Sequence, residues 1–254
     1  MQLLRFIGFD LKHSLLNVSS FFYLIVMPVG FYLLFGGMQE YGSYSFRDGN
    51  AAAYVMLGMA VYGAVTGAVS SAGSAIIEIE QGWGRQLALT PLSSRDLLLT
   101  KVVNALITTS LPVLCVNIVA RFTQAEIPLA QQIVCAVFTI LTASIFAAYG
   151  TLFARLFKNA RAVSVATGLL VFLAFFGTTF SPLPLKFLDV ARFTPLYGVT
   201  EISRYAFTRG DTITADQTHW MVNEPIGYAL ANLGIWALIF VGGTWLLRSS
   251  SKAR

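Results

Sequence analysis

The sequence predicts an all-α membrane protein with six transmembrane helices, and three observations predict it. Six apolar stretches are each long enough to cross a bilayer, and none contains Asp, Glu, Lys, Arg or His. The chain is 56% hydrophobic and only 11% charged, whereas a soluble domain carries about 25% charged residues. Its 254 residues therefore lack the polar surface that water demands, and a bilayer is the solvent that fits. The basic residues, finally, divide unevenly between the two sides that six spans create.

The first element, MQLLRFIGFDLKHSLL at 1–16, carries Arg5, Asp10, Lys12 and His13 and is too polar to span. Leu3, Leu4, Ile7, Leu11 and Leu15 share one helical face, while Gln2, Arg5, Lys12 and His13 share the other. This is the pattern of a helix lying in the membrane interface. A signal peptide is the rival, but Asp10, Lys12 and His13 fall where its apolar core belongs.

The spans follow at 18–36, 51–77, 102–120, 129–153, 162–180 and 226–247, since about 20 apolar residues cross a core of roughly 30 Å. Placing the 1–16 helix, 78–101, 154–161 and the C-terminal end on one side gives that side eleven of the 17 basic residues and four of the 12 acidic ones, a balance of +7. The other side holds six basic and eight acidic residues, a balance of −2. The first side is cytoplasmic by this rule, with both termini. The net charge of +5 is then a topology signal, and no nucleic-acid partner is needed to explain it. The region 181–225 reads as external, either a folded loop or a short re-entrant or interfacial hairpin.

Chemistry is sparse. Cys115 and Cys135 lie inside apolar runs, and His13 and His219 lie at opposite faces, so neither pair makes a metal site or a disulfide framework. There is no G-x-x-x-x-G-K-[ST] phosphate loop, no H-E-x-x-H and no G-x-S-x-G. The chain is not expected to be an enzyme or to hold a cofactor. If it moves something, the energy comes from another chain.

Two segments stand out. The first is EIEQGWGRQLALTPLSSRDLLLTK at 78–101, charged and aromatic between two apolar spans. Trp83, Leu87 and Leu89, with Arg85 and Gln86 among them, suit either a protein contact or an amphipathic loop on lipid headgroups. The second span contains Gly63 and Gly67 in a G-x-x-x-G, which permits close helix approach; ordinary packing and a place beside a substrate path both fit. Phe172, Phe176 and Phe180 repeat every fourth residue and read as one helical stripe, facing lipid, core or a cavity.

The 78–101 stretch resembles the cytoplasmic coupling region of type-2 ATP-binding-cassette (ABC) transporter permeases. That family shows an acidic residue, a small-residue bend, a helix, a TPLS-like phrase and a Lys at the head of the third span. Glu80, Gly82, Gly84, Leu87, TPLS at 90–93 and Lys101 match in that order. A second match is SPLPLKFLDVARFTPLYGVTEISRYAF at 181–207, where Pro182, Pro184, Pro195 and Arg204 correspond.

The resemblance implies one permease domain over 1–254, with a coupling region at 78–100. It implies an ABC exporter subunit in a bacterial inner membrane, paired with a second copy or a sister permease. Separate ATPase subunits would carry ATP and Mg. Glu80, Gly82, Trp83, Gly84, Arg85, Leu87, Thr90 and Pro91 would form the ATPase-coupling set. Gly63, Gly67, Phe172, Phe176 and Phe180 would border the substrate path. Drug or antibiotic efflux is the leading function; lipid or polysaccharide export, or a membrane scaffold that transports nothing, is the alternative.

Overall fold

The computed structural model describes residues 2–16, 21–82, 94–180, 182–216 and 220–252. The N-terminal helix α1, Gln2–Leu16, packs along the helix α4, Ser94–Ala120. Between them come α2, Phe22–Gly37, and the long α3, Ala51–Glu80. A pair of two-residue strands, β1 (Ser45–Phe46) and β2 (Gly49–Asn50), leads antiparallel into α3.

Helix α3 organises the rest. Asn50 caps it, its side chain accepting the Ala53 N–H at 3.0 Å, a contribution of about 1 kcal/mol. It runs 30 residues, about 45 Å, and its apolar window is entirely buried. A helix apolar on every side belongs in a core, and α3 is wrapped by α2, α4 and later helices of the chain. Close approach depends on missing side chains. Gly67 faces the Thr108 carbonyl of α4, and Gly63 faces Pro112 and Pro28. The G-x-x-x-G therefore packs α3 against α4 and α2 within this one chain.

After α4 the chain turns and forms α5 (Leu129–Ala143), α6 (Phe146–Phe157) and α7 (Ala160–Phe176). The break between α5 and α6 contains neither Pro nor Gly. Thr142 and Ser144 donate their hydroxyls to the carbonyls of Phe138 and Leu141 at 2.7 and 2.6 Å. Such back-bonding bends helices. Helix α2 has another irregularity, π-turns at Phe22–Val26 and Leu33–Gly37. The first immediately precedes the turn holding Pro28, whose missing N–H and ring disturb the preceding turn.

Four helices are long and apolar enough to cross a membrane: Ala51–Ile79, Arg95–Ala120, Leu129–Phe157 and Ile226–Leu247. Two shorter apolar helices, Phe22–Gly37 and Arg161–Phe176, stand where the first and fifth spans are expected. The second covers about 24 Å. The fifth was expected to continue to residue 180. It stops at Phe176, where Gly177 caps it and Thr178 adopts a left-handed backbone with φ 61°.

Beyond α7 the chain folds into a helical hairpin: α8, Leu185–Ala191, and α9, Pro195–Thr208. Its two ends meet, because Leu183 bridges Thr214. Its tip, 192–194, lies beside α10, Ile226–Lys252. Asn232 of α10 donates to the carbonyls of Arg192 and Thr194 at 2.7 and 2.9 Å. Trp236 donates to that of Phe193 at 3.1 Å. The tip is thus roughly 9 Å or more along α10 from its start, and α9 runs back until Phe207 packs on Phe46, ring centroids 5.6 Å apart. An antiparallel pair, β3 (Asp211–Ile213) and β4 (Met221–Asn223), closes that end.

A methyl group on Gly67 has no room, since it meets backbone. Overpacking of this kind costs about 1–3 kcal/mol. A methyl group on Gly168 of α7 has nothing within 4 Å of it. Gly67→Ala is expected to lower the unfolding temperature of the detergent-purified protein clearly, and Gly168→Ala to leave it level or raise it. Equal tolerance of both substitutions in a thermal-shift measurement contradicts the α3–α4 contact.

Candidate functional site

Polar groups gather at the two ends of the α3 bundle. At the Glu78 end, three segments converge on one cation. Lys101, near the head of α4, places its Nζ 2.7 Å from Glu78 Oε2 on the last turns of α3. The same nitrogen lies 3.0 and 3.1 Å from the two carboxylate oxygens of Asp10 on α1. Asn104, one turn further along α4, donates to Asp10 as well. Two carboxylates against one ammonium leave this cluster with a charge of −1. Lys101 is only 26% exposed, so the pairs are screened less than surface ion pairs.

This cluster brackets the expected coupling segment. Glu80 is the last residue of α3. Gly82 comes two residues later with φ 84°, its N–H bonded to the Ile79 carbonyl at 3.1 Å. A left-handed glycine after a helix is a common stop, and the small-residue bend is there. Trp83, Gly84, Arg85, Leu87, Thr90 and Pro91 lie outside the described residues. The chain re-enters the structure at Ser94, the first residue of α4.

At the Asn50 end the α8–α9 hairpin carries buried charge. Arg204 of α9 is 1% exposed. Its Nη1 and Nη2 donate to the carbonyls of Thr178 and Thr179 at 2.8 and 3.1 Å. Its guanidinium lies 3.9 Å from the ring centroid of Tyr54 on α3, a cation–π contact. Gly58, one turn along α3, faces both Arg204 and the Thr179 carbonyl. Glu201, one helical turn before Arg204, accepts from Thr178 at 2.8 Å and Thr212 at 3.1 Å. Its carboxylate is 4.0 Å from the guanidinium. Removing one partner of such a buried pair costs about 3–5 kcal/mol, because the other is left uncompensated.

A second buried carboxylate, Glu224, precedes α10. It accepts two bonds from Arg192, 2.9 and 2.8 Å, and a third from the Tyr197 hydroxyl at 2.8 Å. Arg192 is the snorkelling residue of the hairpin tip. Its backbone carbonyl is held by Asn232, and its side chain reaches back past Tyr228 to Glu224. Long cationic side chains do this where their backbone is in apolar surroundings.

The pathway candidates separate. Val165, Leu169, Phe172 and Phe176 form an outward stripe on α7; Phe172 and Phe176 are 67% and 50% exposed. Phe180 does not extend this stripe, because the helix has already ended. It is buried, with ring centroids of Tyr62, Phe175 and Phe31 4.9, 4.9 and 5.1 Å away. Gly63 and Gly67 face the interior.

Sequence reasoning missed most of this polar framework. It counted Arg204 and Glu201 as external and gave no role to Asp10, Asn104, Glu224 or Asn232. The available signal was the spacing Glu201–Arg204, i to i+3, inside an otherwise apolar helix. Among the described residues, no three His, Cys, Asp or Glu side chains gather as a metal site.

Comparison with known proteins agrees with this outline. No curated protein matches the chain. A family model described as ABC-2 family transporter protein matches residues 40–247, from the approach to β1 through the apolar length of α10. That covers the buried α3, its Glu78 end and the charged hairpin alike. The chain belongs to the ABC-2 transporter family.

Proposed function

We propose that this chain is the membrane-spanning permease subunit of an ATP-driven exporter, coupled through residues 78–101 to separate ATPase chains. The observation that carries the reading is the Asp10–Lys101–Glu78 cluster. It ties both flanks of the 83–93 segment and the α1 helix into one unit. A push on that segment is then delivered to α3 and α4 together, and α3 packs against α2, α4, α5, α6, α7 and α9. The six apolar helices act as six spans, with the short α7 shielded by its neighbours or by local thinning of the bilayer. Both termini face the cytoplasm, the membrane is a bacterial inner membrane, and α8–α9 is a re-entrant hairpin on the opposite side.

A second copy, or a sister permease, completes the path. The outward stripe of Phe172 and Phe176 supports this, since an uncharged aromatic surface suits an apolar or amphipathic substrate such as a drug. Gly63 and Gly67 hold α3 in place behind that surface, and Phe180 anchors the end of α7.

Coupling is tested by pull-down of the ATPase with Trp83→Ala and Arg85→Glu. A buried interface Trp contributes on the order of 2 kcal/mol, roughly thirtyfold in binding. Both variants are expected to insert normally and to lose ATPase binding, transport or both. Wild-type binding and transport in both leaves the segment a membrane-surface loop.

Reporter fusions test the topology. A fusion after Gly49 is expected to report from outside and one after Arg254 from the cytoplasm. The reverse pair of signals places 78–101 out of reach of any ATPase.

Phe176→Ala is expected to shift the substrate profile of stimulated ATPase activity while leaving assembly intact. An unchanged profile places Phe176 against lipid only.

A further inference from the structure

A groove of about 620 Å³ opens between the hairpin tip and α10. Asp189, Arg192 and Tyr228 line it near the start of α10, and Ile235, Trp236 and Ile239 line it further along. From Tyr228 to Ile239 the helix advances about 16 Å. That is close to half of a hydrocarbon core of roughly 30 Å. The groove therefore has the depth of one leaflet, polar at the headgroup level and apolar below.

The polar end is unusual because it presents both signs. Arg192 uses three N–H bonds, two to Glu224 and one to Asp189 at 2.8 Å. A guanidinium has five. Arg192 stays 31% exposed, so donors remain for a ligand, and Asp189 is 76% exposed with acceptor capacity to spare. Glu224, by contrast, is 3% exposed and already accepts three bonds. An anion alone meets the two carboxylates flanking Arg192. A cation alone meets the guanidinium. A headgroup carrying a phosphate next to a primary ammonium satisfies both, the phosphate on the spare Arg192 donors and the ammonium on Asp189.

The geometry points to a binding site for one aminophospholipid, a phosphatidylethanolamine-type lipid of the leaflet at the Asn50 end, with an acyl chain along Ile235, Trp236 and Ile239. The ammonium is discriminated by hydrogen bonding. A quaternary ammonium has no N–H to give Asp189, and a glycerol headgroup has no positive charge. The site needs only that the chain spans a membrane, so it stands apart from ATPase coupling and from the identity of the exported substrate.

Trp236 supplies the readout from inside the groove. Trp83→Phe, Trp220→Phe and Trp245→Phe together leave it as the only tryptophan of the chain. The full chain is reconstituted in phosphatidylcholine bilayers. A minor fraction of lipid brominated on its acyl chains is added, with ethanolamine, choline or glycerol headgroups in separate samples. Ethanolamine lipid is expected to quench Trp236 at a several-fold lower mole fraction than the other two. Asp189→Asn is expected to abolish that preference; its one bond at the hairpin tip is the exposed contact from Arg192, which an asparagine oxygen still accepts and which stands beside the two Arg192 bonds to Glu224, so folding is retained. Equal quenching by all three lipids overturns the proposal. So does a preference for the glycerol lipid, which marks a simple cationic site, and so does an ethanolamine preference that survives Asp189→Asn.

Discussion

Arg204 holds the carbonyls of Thr178 and Thr179, and the shape of one end of the molecule depends on that. A helix that stops inside an apolar bundle leaves carbonyls without partners, each a cost of several kcal/mol in a membrane. Helix α7 stops in this way, and the non-helical residues just past it, Thr178 and Thr179, have their carbonyls met by the hairpin's second helix through a single guanidinium. The same side chain lies on Tyr54 of α3, so the end of α7, the hairpin and the central helix share one fixed point. Glu201 then offsets its charge and takes the hydroxyls of Thr178 and Thr212. The tip at 192–194 solves the same problem with Asn232 and Trp236. Protein donors cover the irregular backbone at both places.

The two polar assemblies communicate through α3. Its Glu78 end meets Lys101, and its other end meets Arg204 and carries the Asn50 cap, several turns of helix away. Over its apolar window the helix is buried, with close backbone approach at Gly67. That stretch has little room to bend. Under the proposed coupling, a displacement at Glu78 would arrive at the hairpin as a shift or rotation of the helix.

How far the sequence was legible can be judged from particular elements. All six apolar helices appear where hydropathy placed them, since desolvation of long apolar runs dominates every other term. One is shorter than expected for a local reason: Gly177 and the left-handed Thr178 end α7 early. The amphipathic α1 was readable, but its partner was not. Asp10 looked like one polar residue among several, and only the fold puts it against Lys101 and Asn104. The region 181–225 was read as either a folded external loop or a short hairpin; what the sequence did not disclose is that α9 is buried almost throughout, its charges included. Charge carries an exterior signal only when unpaired, and pairing is a property of three dimensions.

The Lys101 bridge also imposes an order on how the molecule is made. Asp10 and Lys101 are 91 positions apart. While the ribosome synthesises the first hundred residues, the Asp10 carboxylate has neither Lys101 nor Asn104 to meet. Only when the third apolar segment has been threaded does the ammonium arrive that joins α1 to the emerging bundle. The last turns of α3 are captured in the same event, because Glu78 takes the same nitrogen. One lysine thus serves as the latch that closes the N-terminal third of the protein, and both flanks of the 83–93 segment are joined before the remaining helices exist.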